Sequence, residues 1–231
     1  MKRNLILAAL FGLSLLAFAQ GAYRPQMAVL GDSYSTFAGY VEPAGNLAWY
    51  PREKQNDCVS VEQTWWHLLA SRMGWRLTKN NSYSGATICN TGYDKKDYSD
   101  RSYVTRMVNL GSPDVIFVFG GTNDSWAKSP MGQFKYADWK KEDLFQFRPA
   151  MAYMLDFLQK RYVNVKLYFI LNNELSEELT QSCIDICRHY GVGCIELKDI
   201  EKQAGHPSRL GMQQIAHQVE MFMRKGDGPC K

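Results

Sequence analysis

The sequence lacks an excess of charge of either sign. Its 231 residues include 27 lysines and arginines against 23 aspartates and glutamates, a formal net charge of +4. Lys2 and Arg3 lie in an amino-terminal segment that we expect to be removed, which leaves 25 basic and 23 acidic residues, or +2. So mild a balance gives no electrostatic case for a nucleic-acid partner. The chain also lacks internal repeats and low-complexity stretches, which argues against solenoids, propellers and linker-rich proteins.

The amino-terminal apolar run is too short to span a bilayer. It covers the 15 residues Leu5–Ala19 after two basic residues, whereas a transmembrane helix needs roughly 20. Ala17 and Ala19 provide the small residues that signal peptidase requires. We therefore expect a signal peptide at residues 1–19 that is cleaved near Ala19, a secreted or periplasmic product and no stable membrane insertion. Residues 20–231 suffice for a single domain with one core, so folding requires no partner.

The cysteines do not have the spacing of a metal site. The chain has six of them but no C-x-x-C pair, and Cys183 and Cys187 lie four residues apart on a predicted helix. In an oxidising compartment, buried thiols and one to three structural disulfides both fit this pattern. We expect no metal and no cofactor.

Four short apolar runs predict β-strands, and a fifth run is weaker: Met27–Leu30, Trp75–Thr78, Val115–Phe119, Leu167–Leu171 and Cys194–Leu197. Val115–Phe119 is apolar at every position, which is typical of a strand buried on both faces of a parallel sheet. Apolar side chains at spacings of three and four predict helices between the runs, over 60–73, 147–162, 176–190 and 212–223. This alternation predicts an α/β fold with a five-stranded parallel sheet between helical layers.

Small polar segments follow the predicted strands: Gly31–Ser33, Asn81–Thr87, Gly120–Asp124 and Gly205–Ser208. Parallel strands end at one edge of the sheet, where α/β proteins bind their ligands. A serine, a histidine and an amide are the groups that acyl transfer needs, as nucleophile, base and oxyanion donor. The G-x-S-x-G elbow is absent, so the chain is not an ordinary α/β-hydrolase.

The ordered set of these segments resembles the SGNH, or GDSL-type, hydrolases. Gly31–Ser33 matches the first block of that family, Gly85 the second, Gly121–Asp124 the G-x-N-D third block and His206 with Pro207 the last. The resemblance covers nearly the whole mature chain. It implies a flavodoxin-like three-layer α/β/α fold and hydrolysis of an ester without a metal.

The resemblance also implies a role for each of these residues. Ser33 would be the nucleophile, and His206 would serve as general base and then as general acid. The oxyanion hole would combine the backbone N–H groups of Ser33 and Gly85 with the side-chain amide of Asn123.

One position departs from the family pattern. The last block usually reads D-x-x-H, and the residue three before His206 is Gln203. In serine hydrolases this carboxylate fixes the imidazole tautomer, and its replacement by an amide in a serine protease costs about 10⁴ in kcat. Gln203 itself, Asp199, Glu201 or a backbone carbonyl could take over this role, and the sequence leaves these alternatives open.

Each candidate also has an ordinary structural explanation. Ser33 could cap a turn and Asn123 could organise one, which is compatible with catalysis. Three of the four histidines fall on predicted helices: His67, His189 and His217. His206 differs because it lies in a loop beside a family motif. We expect Asp32 and Asp124 to be structural acceptors for backbone N–H groups.

Aromatic residues indicate the substrate. Trp126 and Trp139 bracket a segment directly after Asn123, and the segment from Tyr34 to Gln63 contains four more aromatic residues: Phe37, Tyr40, Trp49 and Tyr50. Such side chains suit stacking on sugar rings, and they equally suit a small core. We expect a carbohydrate esterase that removes O-acetyl groups from a small-molecule or oligosaccharide ester. The alternatives are a lysophospholipase, thioesterase or arylesterase, and a catalytically weakened glycan-binding protein of this fold.

Overall fold

The central sheet has five strands, all of them parallel. The computed structural model describes residues 23–43 and 45–226, so the expected signal peptide and Cys230 lie outside the described residues. The strands are β1 Gln26–Gly31, β2 Arg76–Ser82, β3 Val115–Gly120, β4 Lys166–Leu171 and β5 Gly193–Glu196. Their order in the sheet is β2-β1-β3-β4-β5. This arrangement confirms the predicted α/β/α fold class.

The described residues include six α-helices beside the sheet: α1 Trp65–Met73, α2 Tyr103–Arg106, α3 Thr122–Ala127, α4 Phe147–Arg161, α5 Glu177–Tyr190 and α6 Arg209–Arg224. The helix predicted over 60–73 is divided in two. Ser60 and Gln63 form a capping box, as their spacing suggests, but around a 3-10 turn at Val61–Gln63. Thr64 is extended, with φ −70° and ψ 147°, and therefore α1 begins only at Trp65.

Strand β3 shows how the two faces of the sheet are covered. Every residue of β3 is buried, and successive side chains point to opposite faces. Ile116 and Val118 pack in one core layer with residues of α2, α4 and α5. Phe117 and Phe119 pack in the other layer with residues of α1 and α6. Burial on both faces explains why β3 contains no polar position.

A short antiparallel hairpin precedes α6, where the sequence predicted only a loop. Its strands are β6 Lys202–Gln203 and β7 His206–Pro207. Ala204 and Gly205 form the turn, with φ of 48° and 75°, and two positive φ values suit the twist of a two-residue hairpin. Strands of two residues carry no hydrophobic period, so sequence patterning could not find them.

The described cysteines are all buried. Cys58, Cys89 and Cys183 are free thiols, which is one of the outcomes that the sequence left open. No helix in the described part of the chain is both long and apolar enough to cross a membrane.

Candidate active site

The candidate nucleophile lies on a tight turn at the carboxyl end of β1. Asp32 accepts the backbone N–H of Tyr34 at 2.9 Å and so caps the 3-10 turn Ser33–Ser35. Gly31 is required by close packing, because a Cβ at this position would lie 2.6 Å from the Ser82 hydroxyl oxygen and 2.8 Å from Ser35 Cβ. The turn thus places Ser33 at the edge of the sheet, largely buried.

His206 contacts Ser33 directly. Its Nε2 lies 2.9 Å from Ser33 Oγ, and its Nδ1 lies 3.2 Å from the carbonyl oxygen of Ala204. A carbonyl oxygen can only accept, so the neutral ring carries its proton on Nδ1. Nε2 therefore presents a lone pair to the serine hydroxyl, which is the arrangement a general base needs.

The group that orients the imidazole is a backbone carbonyl. The side-chain oxygen of Gln203 is engaged elsewhere, because Oε1 accepts the backbone N–H of Asp57 at 2.9 Å. Asp199 lies exposed on the loop before the hairpin. Ser33 and the Ala204 carbonyl contact the two ring nitrogens of His206. Of the alternatives open in the sequence, the structure thus places the backbone carbonyl against His206.

Three side chains tie the hairpin of His206 to the rest of the site. The hydroxyl of Tyr34, the residue after Ser33, donates to the carbonyl of Gly205 at 2.8 Å. The hydroxyl of Tyr50 donates to the carbonyl of Pro207 at 2.7 Å, and the Asn56 amide donates to the same carbonyl at 3.2 Å. These bonds fix His206 relative to Ser33 although the two residues lie 173 positions apart.

The surroundings of His206 favour the neutral imidazole. Burial lowers its pKa to about 4, the hydrogen bond to Ala204 partly opposes this effect, and the positive charge of Arg52 lowers the pKa further. At neutral pH the ring is therefore an unprotonated base.

The candidate oxyanion donors are brought together by the loop after β2. The hydroxyl of Thr36, at the end of the Ser33–Ser35 turn (the nucleophile turn), lies 3.1 Å from the hydroxyl of Ser84 on this loop. Gly85 has a φ of 77° within a turn closed by the Ala86 N–H and the Tyr83 carbonyl at 3.1 Å. A positive φ suits glycine, so the shape of the turn explains why a glycine occupies this position.

Asn123 is held at both ends of its amide, at the start of α3. Its Nδ2 donates to the carbonyl of Ala86 at 3.0 Å, and its Oδ1 accepts the hydroxyl of Tyr93 at 2.8 Å. An amide nitrogen carries two hydrogens, so one remains for a ligand. Sequence reasoning missed Tyr93, which belongs to no family motif and whose role depends on a contact 30 positions away.

Two buried carboxyl groups lie beneath the site and act as backbone acceptors, as predicted. Asp124 accepts the N–H groups of Ile88 at 2.8 Å and Cys89 at 3.3 Å, and burial raises its pKa to about 6. Burial also raises the pKa of Asp32 to about 7, against the opposing effects of the Tyr34 N–H and the Arg106 guanidinium. The Oδ2 atom of Asp32 has no hydrogen-bond partner.

The aromatic candidates divide between the site and the core. Trp126 is 45% exposed and its ring centroid lies 6.3 Å from that of His206, so it borders the site. Trp139 packs against Tyr153 of α4, with ring centroids 5.5 Å apart, and belongs to the edge of a core layer. Trp49 stacks on His206. The sequence named it only among the aromatic residues that suit either sugar stacking or a small core, and gave it no part in the chemistry.

Within the ranges 23–43 and 45–226, no group of three or more histidine, cysteine, aspartate or glutamate side chains could hold a metal ion.

Comparison with known proteins identifies a family. The profile of the GDSL-like lipase/acylhydrolase family matches residues 25–223. A solved structure described as a GDSL-like lipase from Bacteroides ovatus ATCC 8483 is 56% identical in sequence, covers 88% of this chain and 99% of its own, and has a TM-score of 0.86. A second one, from Bacteroides uniformis ATCC 8492, is 54% identical, covers 90% of this chain and 98% of its own, and has a TM-score of 0.86. No curated protein matches the chain significantly.

More distant structures share the fold. An acetyl xylan esterase from the rumen bacterium Butyrivibrio proteoclasticus is 15% identical and has a TM-score of 0.53. The alignment covers 89% of this chain and 64% of the esterase.

Proposed function

The chain belongs to the GDSL-like lipase/acylhydrolase family and is an esterase, and from this premise we propose that it hydrolyses esters through a Ser33–His206 dyad. One observation carries the proposal, the 2.9 Å contact between Ser33 Oγ and the unprotonated Nε2 of His206. This distance is within the reach of direct proton transfer.

The first half of the reaction forms an acyl-enzyme. Ser33 Oγ attacks the acyl carbon of the ester while its proton passes to Nε2 of His206. The resulting oxyanion is stabilised by the N–H groups of Ser33 and Gly85 and by the free hydrogen of the Asn123 amide. The imidazolium then gives its proton to the leaving alcohol oxygen as the C–O bond breaks.

The second half releases the acid. A water molecule attacks the acyl-serine carbon, its proton passes to Nε2, and the same donors stabilise the second oxyanion. The intermediate collapses when Nε2 returns the proton to Ser33 Oγ. All steps use groups of this chain, so chelators should not reduce the rate.

An acetylated carbohydrate is the substrate class that best fits the surroundings of Ser33. The groups bordering the site are an exposed indole at Trp126, the phenol of Tyr93 and the guanidinium of Arg52. Flat aromatic faces with polar groups beside them suit sugar rings better than a long acyl chain. The shared fold with an acetyl xylan esterase supports this choice.

The substrate proposal is tested by comparing esters. Rates on acetylated xylan and acetylated monosaccharides should exceed the rate on octanoyl esters, and equal rates on all three would contradict the proposal. Trp126→Ala should raise KM for an oligosaccharide ester and leave KM for p-nitrophenyl acetate unchanged. Phe134→Ala is the matched control because Phe134 is 43% exposed and stacks on Tyr136 instead.

We also propose that the enzyme acts outside the cytoplasm. The basic residues, the apolar run and the Ala17–Ala19 cleavage signal support this. Intact-mass analysis of the secreted protein should give a chain that begins at Gln20, and retention of residues 1–19 would contradict the proposal.

A further inference from the structure

The imidazole of His206 and the indole of Trp49 are stacked face to face. Their ring centroids are 3.7 Å apart and their planes differ by only 8°. Aromatic pairs in proteins usually have centroids 4.5–7 Å apart and are offset or perpendicular. The contact is therefore a close, full-face stack on the ring that contacts the nucleophile.

Trp49 is itself held in place. It is only 8% exposed, and its backbone N–H donates to the Thr36 hydroxyl at 2.8 Å. That hydroxyl lies 3.1 Å from the Ser33 carbonyl oxygen, to which it donates. The next residue, Tyr50, packs edge-on against the indole with centroids 4.6 Å apart. The backbone of Trp49 is thus tied to the nucleophile turn, and its neighbour Tyr50, which packs on the indole, is tied to the hairpin of His206.

The hydrogen bonds of His206 leave one motion of its ring poorly constrained. The Ala204 carbonyl is a neutral acceptor at 3.2 Å, and charged acceptors form hydrogen bonds roughly twice as strong. The N–H and the lone pair of an imidazole point along the plane of the ring, so hydrogen bonds to them oppose tilting of that plane only weakly. A rigid aromatic surface at 3.7 Å blocks the tilt, and its face attracts the imidazolium that forms during the reaction.

We propose that Trp49 is a positioning residue that holds the plane of His206 toward Ser33 Oγ, and so performs part of the task of the carboxylate that the D-x-x-H position lacks. This inference rests on the proposed Ser33–His206 mechanism. It concerns kcat and not substrate binding, because the indole is only 8% exposed, with the imidazole against one face and the Arg52 guanidinium carbon 5.3 Å from the ring centroid.

The test compares three variants with wild type on p-nitrophenyl acetate. Trp49→Leu removes the flat surface and should lower kcat by about tenfold with little change in KM. Trp49→Phe restores an aromatic face and should recover kcat to within about threefold of wild type. Trp75→Leu is the matched control, since Trp75 stacks on Phe117 at the amino end of the sheet, and it should leave kcat unchanged. Thermal unfolding of each variant shows whether it is folded, and kcat is expressed per folded protein.

A double-variant cycle separates positioning from a structural role. If Trp49 acts through His206, then Trp49→Leu should cause no further loss of the residual rate in a His206→Ala background. The inference is overturned if the loss is the same in both backgrounds, if Trp49→Phe is as slow as Trp49→Leu, or if Trp49→Leu raises KM alone.

Ser33→Ala, measured in parallel, tests the mechanism on which the inference depends. An inactive Ser33→Ala beside an unimpaired Trp49→Leu would contradict only the role of Trp49. An active Ser33→Ala would contradict the proposed mechanism itself.

Discussion

The imidazole of His206 combines a buried position with a neutral hydrogen-bond partner. In the familiar triad a carboxylate raises the basicity of the histidine and compensates its charge. Here the Ala204 carbonyl fixes the tautomer without adding charge, and burial lowers the pKa of His206 to about 4. The proposed dyad thus has a weaker base that remains unprotonated over a wide range of pH.

The pH profile should reflect this low pKa. Protonation of Nε2 removes the base, so kcat/KM is expected to fall as the pH drops through about 4 and to vary little between about pH 5 and 6. Initial rates on p-nitrophenyl acetate across this range give the profile. An acidic limb near 6.5, the ordinary value for histidine, would show that His206 is not the buried base described above.

Tyr93 orients the proposed oxyanion donor, and its loss should slow the reaction. Without the hydroxyl that donates to Asn123 Oδ1, the amide keeps only its bond to Ala86. We expect Tyr93→Phe to lower kcat by about tenfold, less than the 10²–10³ typical for loss of an oxyanion donor, here Asn123→Ala. Steady-state kinetics of both variants give kcat and KM, and so measure the two losses. A loss in Tyr93→Phe confined to KM would instead make Tyr93 a substrate contact.

At the scale of elements, the end of β1 is the junction on which the site depends. Gly31 packs against Ser82 of β2 and against Ser35 of the nucleophile turn. A Cβ on residue 31 would lie less than 3 Å from atoms of both serines, which is closer than Cβ atoms come to their neighbours in real proteins. The strand and the turn can therefore approach each other only because the residue between them has no side chain.

Gly31→Ala should therefore damage stability and catalysis together. Overpacking of a buried site typically costs about 1–3 kcal/mol, and here the strain is relieved by moving Ser35 and with it Ser33. Urea unfolding and kcat measure the two effects. Gly39→Ala is the control, because a Cβ at Gly39 meets nothing within 4 Å although its φ is 83°; it is expected to lower stability without lowering kcat. Unchanged kcat in Gly31→Ala would contradict the account of this junction.

The elements differ in how far the sequence predicts them. β3 was predictable because all of its side chains are buried, which leaves an uninterrupted apolar run. The extended conformation of Thr64, which separates the capping box from α1, was not predictable, since threonine is compatible with both helical and extended backbone. The hairpin of His206 was missed because its pairing is two residues long and depends on positive φ at Ala204, a conformation that alanine does not signal.

At the scale of the whole molecule, a buried carboxyl group links stability to pH. Burial raises the pKa of Asp32 to about 7 from an ordinary value of 3.8. Between these two pH values the folded protein retains a proton that the unfolded chain has released. The contribution of Asp32 to the free energy of unfolding therefore decreases as the pH rises through this window.

Asp32→Asn isolates this effect because the amide does not titrate. The free energy of unfolding of wild type minus that of Asp32→Asn should decrease from pH 5 to pH 8, as measured by urea denaturation at each pH. Asp124 is present in both proteins, so its own titration largely cancels. A difference that stays constant or grows with pH would contradict the raised pKa.

The candidate site was predictable to the extent that it follows motifs. The sequence named Ser33, Asn123 and His206, which the fold gathers at one edge of the sheet. It could not choose the partner of His206 Nδ1, because a backbone carbonyl has no sequence signature. Nor could it pair Trp49 with His206 or find Tyr93, because aromatic residues are common in cores and only the three-dimensional contacts distinguish these two.

Hydrolysis of p-nitrophenyl acetate by wild type and by Ser33→Ala tests the central claim most directly. The proposed mechanism predicts turnover by wild type and a rate at the buffer background for Ser33→Ala, with equal thermal stability showing that the variant is folded. Turnover by Ser33→Ala at the wild-type rate would contradict a serine nucleophile at this position. Background rates for both proteins would contradict the catalytic dyad.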